Sequence, residues 1–566
     1  MKIKLMPLLS ILCFAAMVSC KKNETVSGAP PSLTITNKSY NPYSVTNMRK
    51  ALAGLLAGDA QLSRNNKLGY VKGKMILSTK EGIGINKQMT LNESLKIAEQ
   101  GITATHYYIK FIPRNQADMD KLKVDSSLTI YPFPLDNEQT QYKGSYHDPS
   151  VSPGVPTYQY AAVPVAYRLP DVPYQKLEDL YIPNESKPGN RVTVTADGNS
   201  SYSVETGELA RSAECGGGEV GGGGEGEPIN EEVLDEYDDC EGGGGPYPPN
   251  DPYRNGENWR PHGRITVNDD LKGIIGVEGI RVRARRWFTT YNGFTDADGY
   301  YAVDGWFTRP ANYWLDFERY EFQVTDGTNG LGTAREISGP KIEAAWDVQF
   351  DGYDKFCSTI FRAAYHYYYK DIQGLQRPPE NAFWHTQMKL RAKDYPDPDA
   401  PLSGGNAVAQ RRILNLGEFI HIYHPSFADT RRTYATTIHE LAHAVHWKID
   451  HSHYNNNDLA TNMMAESWAR GAEWFLTKME YSDYRGGNVV LPEYTNVVID
   501  MIDFNFDNSN NGYSDNRDFV FGYNIIQIQD ALNGAANGTD WKNNIRNNYD
   551  NNTENNLDAL FSAWGF

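Results

Sequence analysis

The chain has 566 residues and a formal net charge of −17, with 40% hydrophobic and 22% charged residues. At about 150 residues per domain, this length indicates three or four folded units, and the composition argues against a wholly disordered chain. Because the negative charge repels phosphate, nucleic acid is not expected as a partner and anionic lipid surfaces are unfavourable.

The N-terminal residues predict an export signal. Lys2 and Lys4 precede an apolar stretch that is too short to span a bilayer, so residues 1–19 are predicted to be a signal peptide. The stretch ends in the letters MVSC, whose cysteine is Cys20, and this order resembles the lipobox of bacterial lipoproteins. The resemblance implies acylation of Cys20 and a place in the bacterial cell envelope, facing the periplasm or the exterior, with membrane contact only through the lipid. Residues 20–45 are predicted to be a tether.

Residues 46–200 mix helix and strand signals, which predicts an α+β module. Capping residues and apolar spacing indicate helices over residues 92–98 and 115–123, and a strand over residues 107–112 ends before Pro113. No motif here indicates a chemistry. A propeptide and a spacer are therefore both open interpretations.

Residues 201–257 are predicted to be an acidic, glycine-rich linker. Between Glu214 and Glu241 there are eleven acidic residues and no basic one, interleaved with runs of glycine. Glycine raises the entropy of the free chain and like charges repel, which favours an extended segment. Calcium binding is the alternative, although no fixed ligand spacing is visible. Cys215 and Cys240 bracket the glycine-rich part and are candidates for a disulfide in an exported protein.

In residues 258–335, apolar and polar residues alternate over short stretches, which is typical of short strands. Three apolar residues at alternate positions share one strand face and three arginines share the other, which predicts a half-buried sheet. These residues are Ile280, Val282 and Ala284 on one face and Arg281, Arg283 and Arg285 on the other. Residues 295–300 predict a hairpin turn. A calcium loop through Asp296 and Asp298 is the alternative, but its later ligands are missing.

Several glycines, valines and turn residues of this segment match a known sandwich pattern. The matching positions are Gly263, Val267, Gly276, Val277, Gly279, Val282, Thr295, Asp296, Gly299 and Tyr300. The set resembles the carboxypeptidase regulatory-like, transthyretin-type β-sandwich. This resemblance implies an accessory domain beside a catalytic or receptor module, with no chemistry of its own.

Residues 340–566 are predicted to form the last, mainly helical unit. A long helix is expected over residues 353–372, strands over residues 388–393 and 418–424, and helices afterwards. The second strand is interpreted either as an edge strand that aligns an extended peptide by main-chain pairing or as an interior strand. Cys357 is predicted to be a small core residue of the long helix.

The residues with a recognisable chemistry lie in this last unit. The pattern HExxH, formed by His439, Glu440 and His443, lies in a helix predicted to begin near Asp429 or Thr430. Histidines four residues apart share one helix face, with Cβ atoms about 5–6 Å apart, so both rings can bind one metal ion. The glutamate lies beside that ion, where its carboxylate can take a proton from an attacking water. The pattern predicts a Zn²⁺ site with a general base, and an ordinary helix with histidines is the alternative.

Two histidines need a further protein ligand, and its type decides the class of zinc enzyme. A metzincin has glycine at the third position after the second histidine and another histidine three residues later, but these positions hold His446 and Ile449. The metzincin interpretation therefore fails. His446 lies two turns from His439, so it is expected to pack or to contact substrate rather than to share the metal.

A carboxylate from the next helix is the other source of a third ligand. This helix is predicted over residues 458–479, and Glu466 lies on it among small and aromatic neighbours. Glu473, seven residues further on the same face, is the alternative ligand.

The arrangement of these residues resembles the gluzincin metallopeptidases, whose third ligand is a glutamate on the helix after the zinc-binding helix. The resemblance covers residues 415–480. It implies metal ligation by His439, His443 and Glu466 and base catalysis by Glu440.

One position departs from the pattern of that family. Some gluzincins place an aspartate four residues after the glutamate ligand to orient a histidine, but that position holds Arg470. The orienting group must then come from elsewhere, and Asn462 and Glu473 are the candidates. Hydrolysis also develops negative charge on the carbonyl oxygen, and Tyr523 and Tyr454 are the candidate donors to it.

These features together predict a multidomain α+β protein: an N-terminal α+β module, a central β-sandwich and a mainly helical, zincin-like C-terminal unit. The expected function is that of a lipid-anchored zinc metallopeptidase, more an endopeptidase than an exopeptidase, which hydrolyses extracytoplasmic proteins or peptides. The alternative is a non-catalytic surface adhesin or binding lipoprotein in which the zinc site is structural and the sandwich recognises the partner.

Overall fold

The computed structural model describes most of the chain after residue 40. The described ranges are 41–57, 76–79, 82–84, 90–136, 147–152, 154–185, 189–195, 200–214, 251–256, 258–326, 334–381, 387–396, 419–425, 428–454, 459–486, 494–503 and 519–566. The predicted signal peptide, Cys20, Cys215 and Cys240 lie outside the described residues, so the lipid anchor and the disulfide stay predictions. Within the described ranges, no helix has the length and apolar character needed to cross a membrane.

Helices and strands alternate along the described chain, which confirms the α+β class at this coarse level. The helices are α1 Val45–Ala57, α2 Leu91–Gly101, α3 Gln116–Val124, α4 Thr206–Glu214, α5 Gly352–Tyr369, α6 Thr430–Ile449, α7 His451–Tyr454, α8 Leu459–Glu480, α9 Val497–Ile502, α10 Ile525–Asp530, α11 Gly538–Asn548 and α12 Leu557–Ala563. The strands are β1 Ile76–Thr79, β2 Gly82–Gly84, β3 His106–Phe111, β4 Gln159–Pro164, β5 Tyr174–Leu180, β6 Arg191–Thr195, β7 Ser200–Glu205, β8 Arg254–Asn255, β9 Asn258–Trp259, β10 His262–Asp269, β11 Gly273–Gly276, β12 Arg281–Arg286, β13 Thr289–Phe294, β14 Tyr300–Ala302, β15 Ala311–Asp316, β16 Phe322–Asp326, β17 Glu336–Ile342, β18 Val348–Phe350, β19 Met388–Lys393 and β20 Phe419–Tyr423.

The N-terminal module contains two antiparallel sheets, with strand orders β2-β1-β7-β6 and β4-β3-β5. The two helices predicted in this module begin directly after capping residues. Thr90 and Glu93 cap α2 reciprocally, and the Asn115 side chain accepts a hydrogen bond from the first turn of α3. β3 ends just before Pro113, which cannot donate to a ladder.

The module is longer than predicted at both ends. Tyr43 is 1% exposed in its core, so the tether ends earlier than residue 45. β7 pairs with both β1 and β6, and α4 buries Leu209 and Ala210, so the linker does not begin at residue 201. These two bounds are wrong because Tyr43 and α4 pack into one hydrophobic core with residues distant in sequence, and local composition does not indicate such packing.

The central part contains two sheets, which we call the central sheet pair. β10 pairs with β11, β14 and β18, and the second sheet has the order β13-β12-β15-β17. Ile280, Val282 and Ala284 are buried as predicted. Arg283 and Arg285, on the opposite face, are also buried, at 5% and 3% exposure.

The arginine face of β12 is covered by the N-terminal module. The guanidinium groups of Arg283 and Arg285 lie over the ring of Tyr131, 5.2 Å and 5.7 Å from its centroid. Arg283 Nε is 3.1 Å from Asp316 Oδ2. The prediction of a half-buried sheet is therefore wrong at Arg283 and Arg285, because an aromatic ring and a carboxylate take the place of water around these side chains, whereas the side chain of Arg281 stays partly exposed.

Strand pairing crosses the predicted boundary between the central and C-terminal parts. β16, from the predicted sandwich, pairs parallel with β19, and β19 pairs parallel with β20. β17 and β18, beyond residue 335, pair instead with β15 and β10. The bounds 258–335 and 340–566 are therefore wrong at their junction, and one hydrophobic core runs through both parts.

Three long helices, α5, α6 and α8, form the centre of the C-terminal part. α6 begins at Thr430, and the Asp429 side chain caps it by accepting a hydrogen bond from Arg432 N at 2.7 Å. Cys357 is buried and free on α5, which confirms it as a core residue. Among the described residues, β20 pairs only with β19.

Candidate metal centre

Three predicted ligands converge between α6 and α8. His439 Nε2 and His443 Nε2 are 3.2 Å apart, and each is 3.1 Å from Glu466 Oε2. All three side chains are buried. In the described part of the chain, they are the one group of histidine, cysteine and acidic side chains that could hold a metal ion.

The spacing of the three donor atoms fits a metal ion. A tetrahedral ion with bonds of about 2.0–2.1 Å has neighbouring ligands about 3.3–3.4 Å apart, because a tetrahedron's edge is about 1.6 times its radius. The observed edges of 3.1–3.2 Å are close to this value. Hydrogen bonding alone explains the group less well, since both ring nitrogens point at one carboxylate oxygen and also at each other.

Glu473 orients one of the two histidines. Its Oε2 is 3.0 Å from His439 Nδ1, and its Oε1 accepts a hydrogen bond from the Tyr484 hydroxyl. Because a carboxylate only accepts, the neutral ring of His439 carries its proton on Nδ1 and directs the Nε2 lone pair at the metal position. Of the two candidates, Glu466 therefore lies at the ligand position and Glu473 on the far side of the ring.

The histidines and glutamates of this cluster stabilise each other's charged forms. Burial alone would lower the pKa of His439, but its hydrogen bonds to Glu466 and Glu473 outweigh burial and raise the pKa to about 10. Burial would raise the pKa of Glu473, yet the hydrogen bond from His439 lowers it to about 2. The pKa of Glu466 is likewise well below its usual value, because the charges of the histidines overcome burial. Without a metal, the His439 ring therefore holds a second proton at neutral pH, and a metal ion would have to displace it.

Arg470, the position that departs from the gluzincin pattern, has a different role. Its Nε donates to Asn496 Oδ1 at 2.8 Å. After burial and His439, its positive charge is the next influence on the pKa of Glu473, which it lowers together with Arg432. The orienting carboxylate therefore comes from residue 473 instead of residue 470.

Glu440 is buried, with 5% of its surface exposed, on α6 beside the ligands. Its charge contributes to the raised pKa of His439, after burial and the hydrogen bonds to the two other glutamates. Its carboxylate therefore lies close enough to the ligand group to interact with it electrostatically.

Two tyrosines lie beside the candidate ligand histidines. The rings of Tyr454 and His443 are 6.3 Å apart, and the rings of Tyr494 and His439 are 6.0 Å apart. The backbone N–H of Tyr523 donates to the carbonyl of residue 501, and the buried hydroxyl of Tyr523 has no hydrogen-bond partner among the described residues. Burial and the charge of Glu554 raise the pKa of Tyr523 to about 12.

These contacts do not test the oxyanion role of Tyr523, which stays a prediction. Sequence reasoning missed Tyr494, since it follows α8 without any periodic pattern that ties it to the site. His446 is buried and packs against the ring of Tyr454, with 5.0 Å between ring centroids. This contact agrees with packing, one of the two roles predicted for it.

The fold and the site together define a mixed α+β protein with a buried His-His-Glu group that is geometrically able to bind a metal ion. In comparisons with protein-family models and with curated proteins, nothing matched the chain.

Proposed function

We propose that this protein is a zinc-dependent metallopeptidase that hydrolyses proteins or peptides outside the cytoplasm. The observation that carries the proposal is the convergence of His439 Nε2, His443 Nε2 and Glu466 Oε2 within 3.2 Å, beside the carboxylate of Glu440. Two imidazoles and one carboxylate are a ligand set that catalytic zinc uses, with one coordination position left for water or substrate.

Zinc bound to such a set supplies Lewis acidity, which polarises a carbonyl group and acidifies water at neutral pH. The residues of the chain then have separate tasks. Glu440 takes the proton of the attacking water and passes it to the leaving amine. Glu473 holds the ring of His439, and the hydroxyls of Tyr454 and Tyr494 are the candidate donors to the negative charge on the carbonyl oxygen.

One feature supports a peptide as the substrate. β20 lies just before the metal-binding helix, and among the described strands it has a neighbour on one side only. Such an edge can pair with the main chain of an extended peptide. The proposed location at the bacterial cell envelope, through a lipid on Cys20, rests on the N-terminal sequence alone.

The test compares the zinc content and the peptidase activity of the full chain and of Glu440→Gln. We expect one zinc per chain in both proteins, and we expect the variant to lose about two to four orders of magnitude in turnover of an unstructured protein substrate. Glu205→Gln, at an exposed position of the N-terminal module, is the matched control and should keep full activity.

Cleavage by a zinc-loaded Glu440→Gln protein at the wild-type rate would show that Glu440 is not the base. A wild-type protein that binds zinc but cleaves no peptide would contradict the peptidase and favour a binding lipoprotein with a structural metal.

A further inference from the structure

The turn between β10 and β11 reaches from the central sheet pair to the helices that carry the metal ligands. It consists of Asp269, Asp270, Leu271 and Lys272, followed by Gly273. Gly273 has φ of +72°, a left-handed conformation that closes the hairpin and that other residues adopt only with strain. We call this turn the clamp turn.

Asp269 links the clamp turn to α5 and to the end of α8. Its Oδ1 accepts hydrogen bonds from the N–H groups of residues 271 and 272, which fixes the turn. Its Oδ2 is 2.9 Å from Arg362 Nη1 of α5 and 2.6 Å from the Tyr481 hydroxyl, just after α8. The side chain of Asp269 is fully buried, so each of these bonds forms away from water.

Asp270 binds the first residue of the metal-binding helix. Its Oδ2 accepts a hydrogen bond from Thr430 N at 2.9 Å, and its own N–H donates to Thr430 Oγ1 at 3.1 Å. The first N–H groups of a helix have no partner within it, and the positive end of the helix dipole favours a carboxylate there. Lys355 of α5 forms an ion pair with the same aspartate.

Lys272 binds the last residue of α8. Its Nζ is 2.7 Å from Glu480 Oε1, and the same oxygen is 2.7 Å from Arg362 Nη2. Glu480 lies seven residues after Glu473, which in turn lies seven residues after Glu466. One face of α8 thus carries the metal ligand, the orienting carboxylate and the contact with the clamp turn.

The distances along the helices show why these contacts matter for the metal. His439 is nine residues from Thr430, which is about 13 Å along the helix axis at 1.5 Å per residue. A tilt of about 5° at the start of α6 would move the ring by about 1 Å. Metal–ligand distances tolerate only about 0.2 Å, so a small error in helix placement would separate the donor atoms.

We propose that the clamp turn is a positioning device for the metal centre, which sets the relative placement of α6 and α8 and thereby the affinity for the metal. The inference rests on the proposed zinc site but not on peptide hydrolysis. On this proposal the central sheet pair helps to determine the metal affinity of the site, whereas the sandwich resemblance implies an accessory domain.

The experiment measures the zinc dissociation constant of the full chain by chelator competition, the visible absorption of its Co²⁺ form and the melting temperature of the metal-free protein. In Asp270→Ala we expect a folded protein whose zinc dissociation constant rises about tenfold or more, as for other residues that position ligands, and whose Co²⁺ spectrum changes. Asp270→Asn retains an oxygen acceptor for Thr430 N and should restore part of the affinity.

The matched control is Asp296→Ala. Asp296 also holds a turn of the central sheet pair, by accepting hydrogen bonds from the N–H groups of residues 298 and 300. This control should lower the melting temperature and leave zinc affinity and the Co²⁺ spectrum unchanged. If Asp270→Ala does not fold, Lys272→Ala, at a partly exposed position, replaces it and should weaken zinc binding several-fold.

An Asp270→Ala protein with wild-type affinity and spectrum would overturn this inference, and so would an equal loss of affinity in Asp296→Ala. A wild-type chain that binds zinc but does not cleave peptides would overturn the proposed function alone. A wild-type chain that binds no zinc would overturn both.

Discussion

Replacing Glu473 by glutamine tests how the metal centre is built. The substitution keeps the size of the side chain but removes the charge that faces His439 Nδ1 at 3.0 Å. A buried hydrogen bond to a charged group contributes about 1.5–3 kcal/mol. Loss of a partner that orients a metal ligand lowers affinity about 10- to 100-fold, which corresponds to about 1.4–2.7 kcal/mol. The two estimates agree, so we expect the zinc dissociation constant of Glu473→Gln to rise 10- to 100-fold.

The assay is chelator competition with the full chain, with Glu466→Ala and Tyr484→Phe measured beside it. Glu466→Ala removes a ligand and should weaken zinc binding more than Glu473→Gln does. Tyr484→Phe removes only the hydroxyl that donates to Glu473, so it should have the smallest effect. Wild-type affinity in Glu473→Gln would refute the orienting role. A larger loss in Glu473→Gln than in Glu466→Ala would make Glu473 the ligand.

Three further predictions concern stability and the metal. Asp269→Asn removes one of the two carboxylates that pair with the buried Arg362, and because Glu480 still faces this arginine, the change should lower the free energy of unfolding by about 1.5–3 kcal/mol in urea denaturation; this loss should shrink as the pH falls from about 4 towards 2. The reason is that burial would raise the pKa of Asp269, but hydrogen bonds from Tyr481 and the turn lower it from 3.8 to about 2, so its contribution is complete above the unfolded value and disappears below the folded one. In Gly276→Ala, a Cβ atom would lie 2.3 Å from the backbone carbon of Asp298, so we expect a loss of about 1–3 kcal/mol in the same measurement, and an unchanged midpoint would refute the close packing. Zinc at 100 times its dissociation constant should stabilise the protein by about 2.7 kcal/mol in calorimetry, and a chelator should reverse this; equal melting temperatures with and without zinc would contradict binding to the folded state.

The parts of the site that follow from local geometry could be predicted from the sequence. His439 and His443 share a helix face because of their spacing, and the predicted helix start at Thr430 is confirmed. The sequence left Glu466 and Glu473 as alternatives because both lie on one face of α8. Which carboxylate meets Nε2 and which meets Nδ1 depends on how α6 and α8 cross, and no pattern within either helix specifies that crossing.

Contacts between distant segments explain most of the wrong expectations. Arg283 and Arg285 alternate with apolar residues, which is typical of a solvated strand face, and the ring of Tyr131 that covers them comes from another module. Alternation of apolar and polar residues indicates that the two faces of a strand differ. It does not indicate whether the polar face contacts water or a neighbouring segment with charged and aromatic side chains. The same limit applies to the orienting role of Glu473 and to the contacts of the clamp turn.

The exchange of strands between the central and C-terminal parts determines which part of the chain is needed to hold the candidate metal site. The sheet beside α6 contains β16, which precedes residue 335, and the hairpin that contacts Thr430 and Glu480 lies earlier still. A fragment that begins at residue 340 would lose one strand of that sheet and the carboxylate at the start of α6. It would also expose apolar side chains of the core that both parts share. The unit that holds the candidate metal site must therefore include the central sheet pair, although the three candidate ligands lie wholly on α6 and α8.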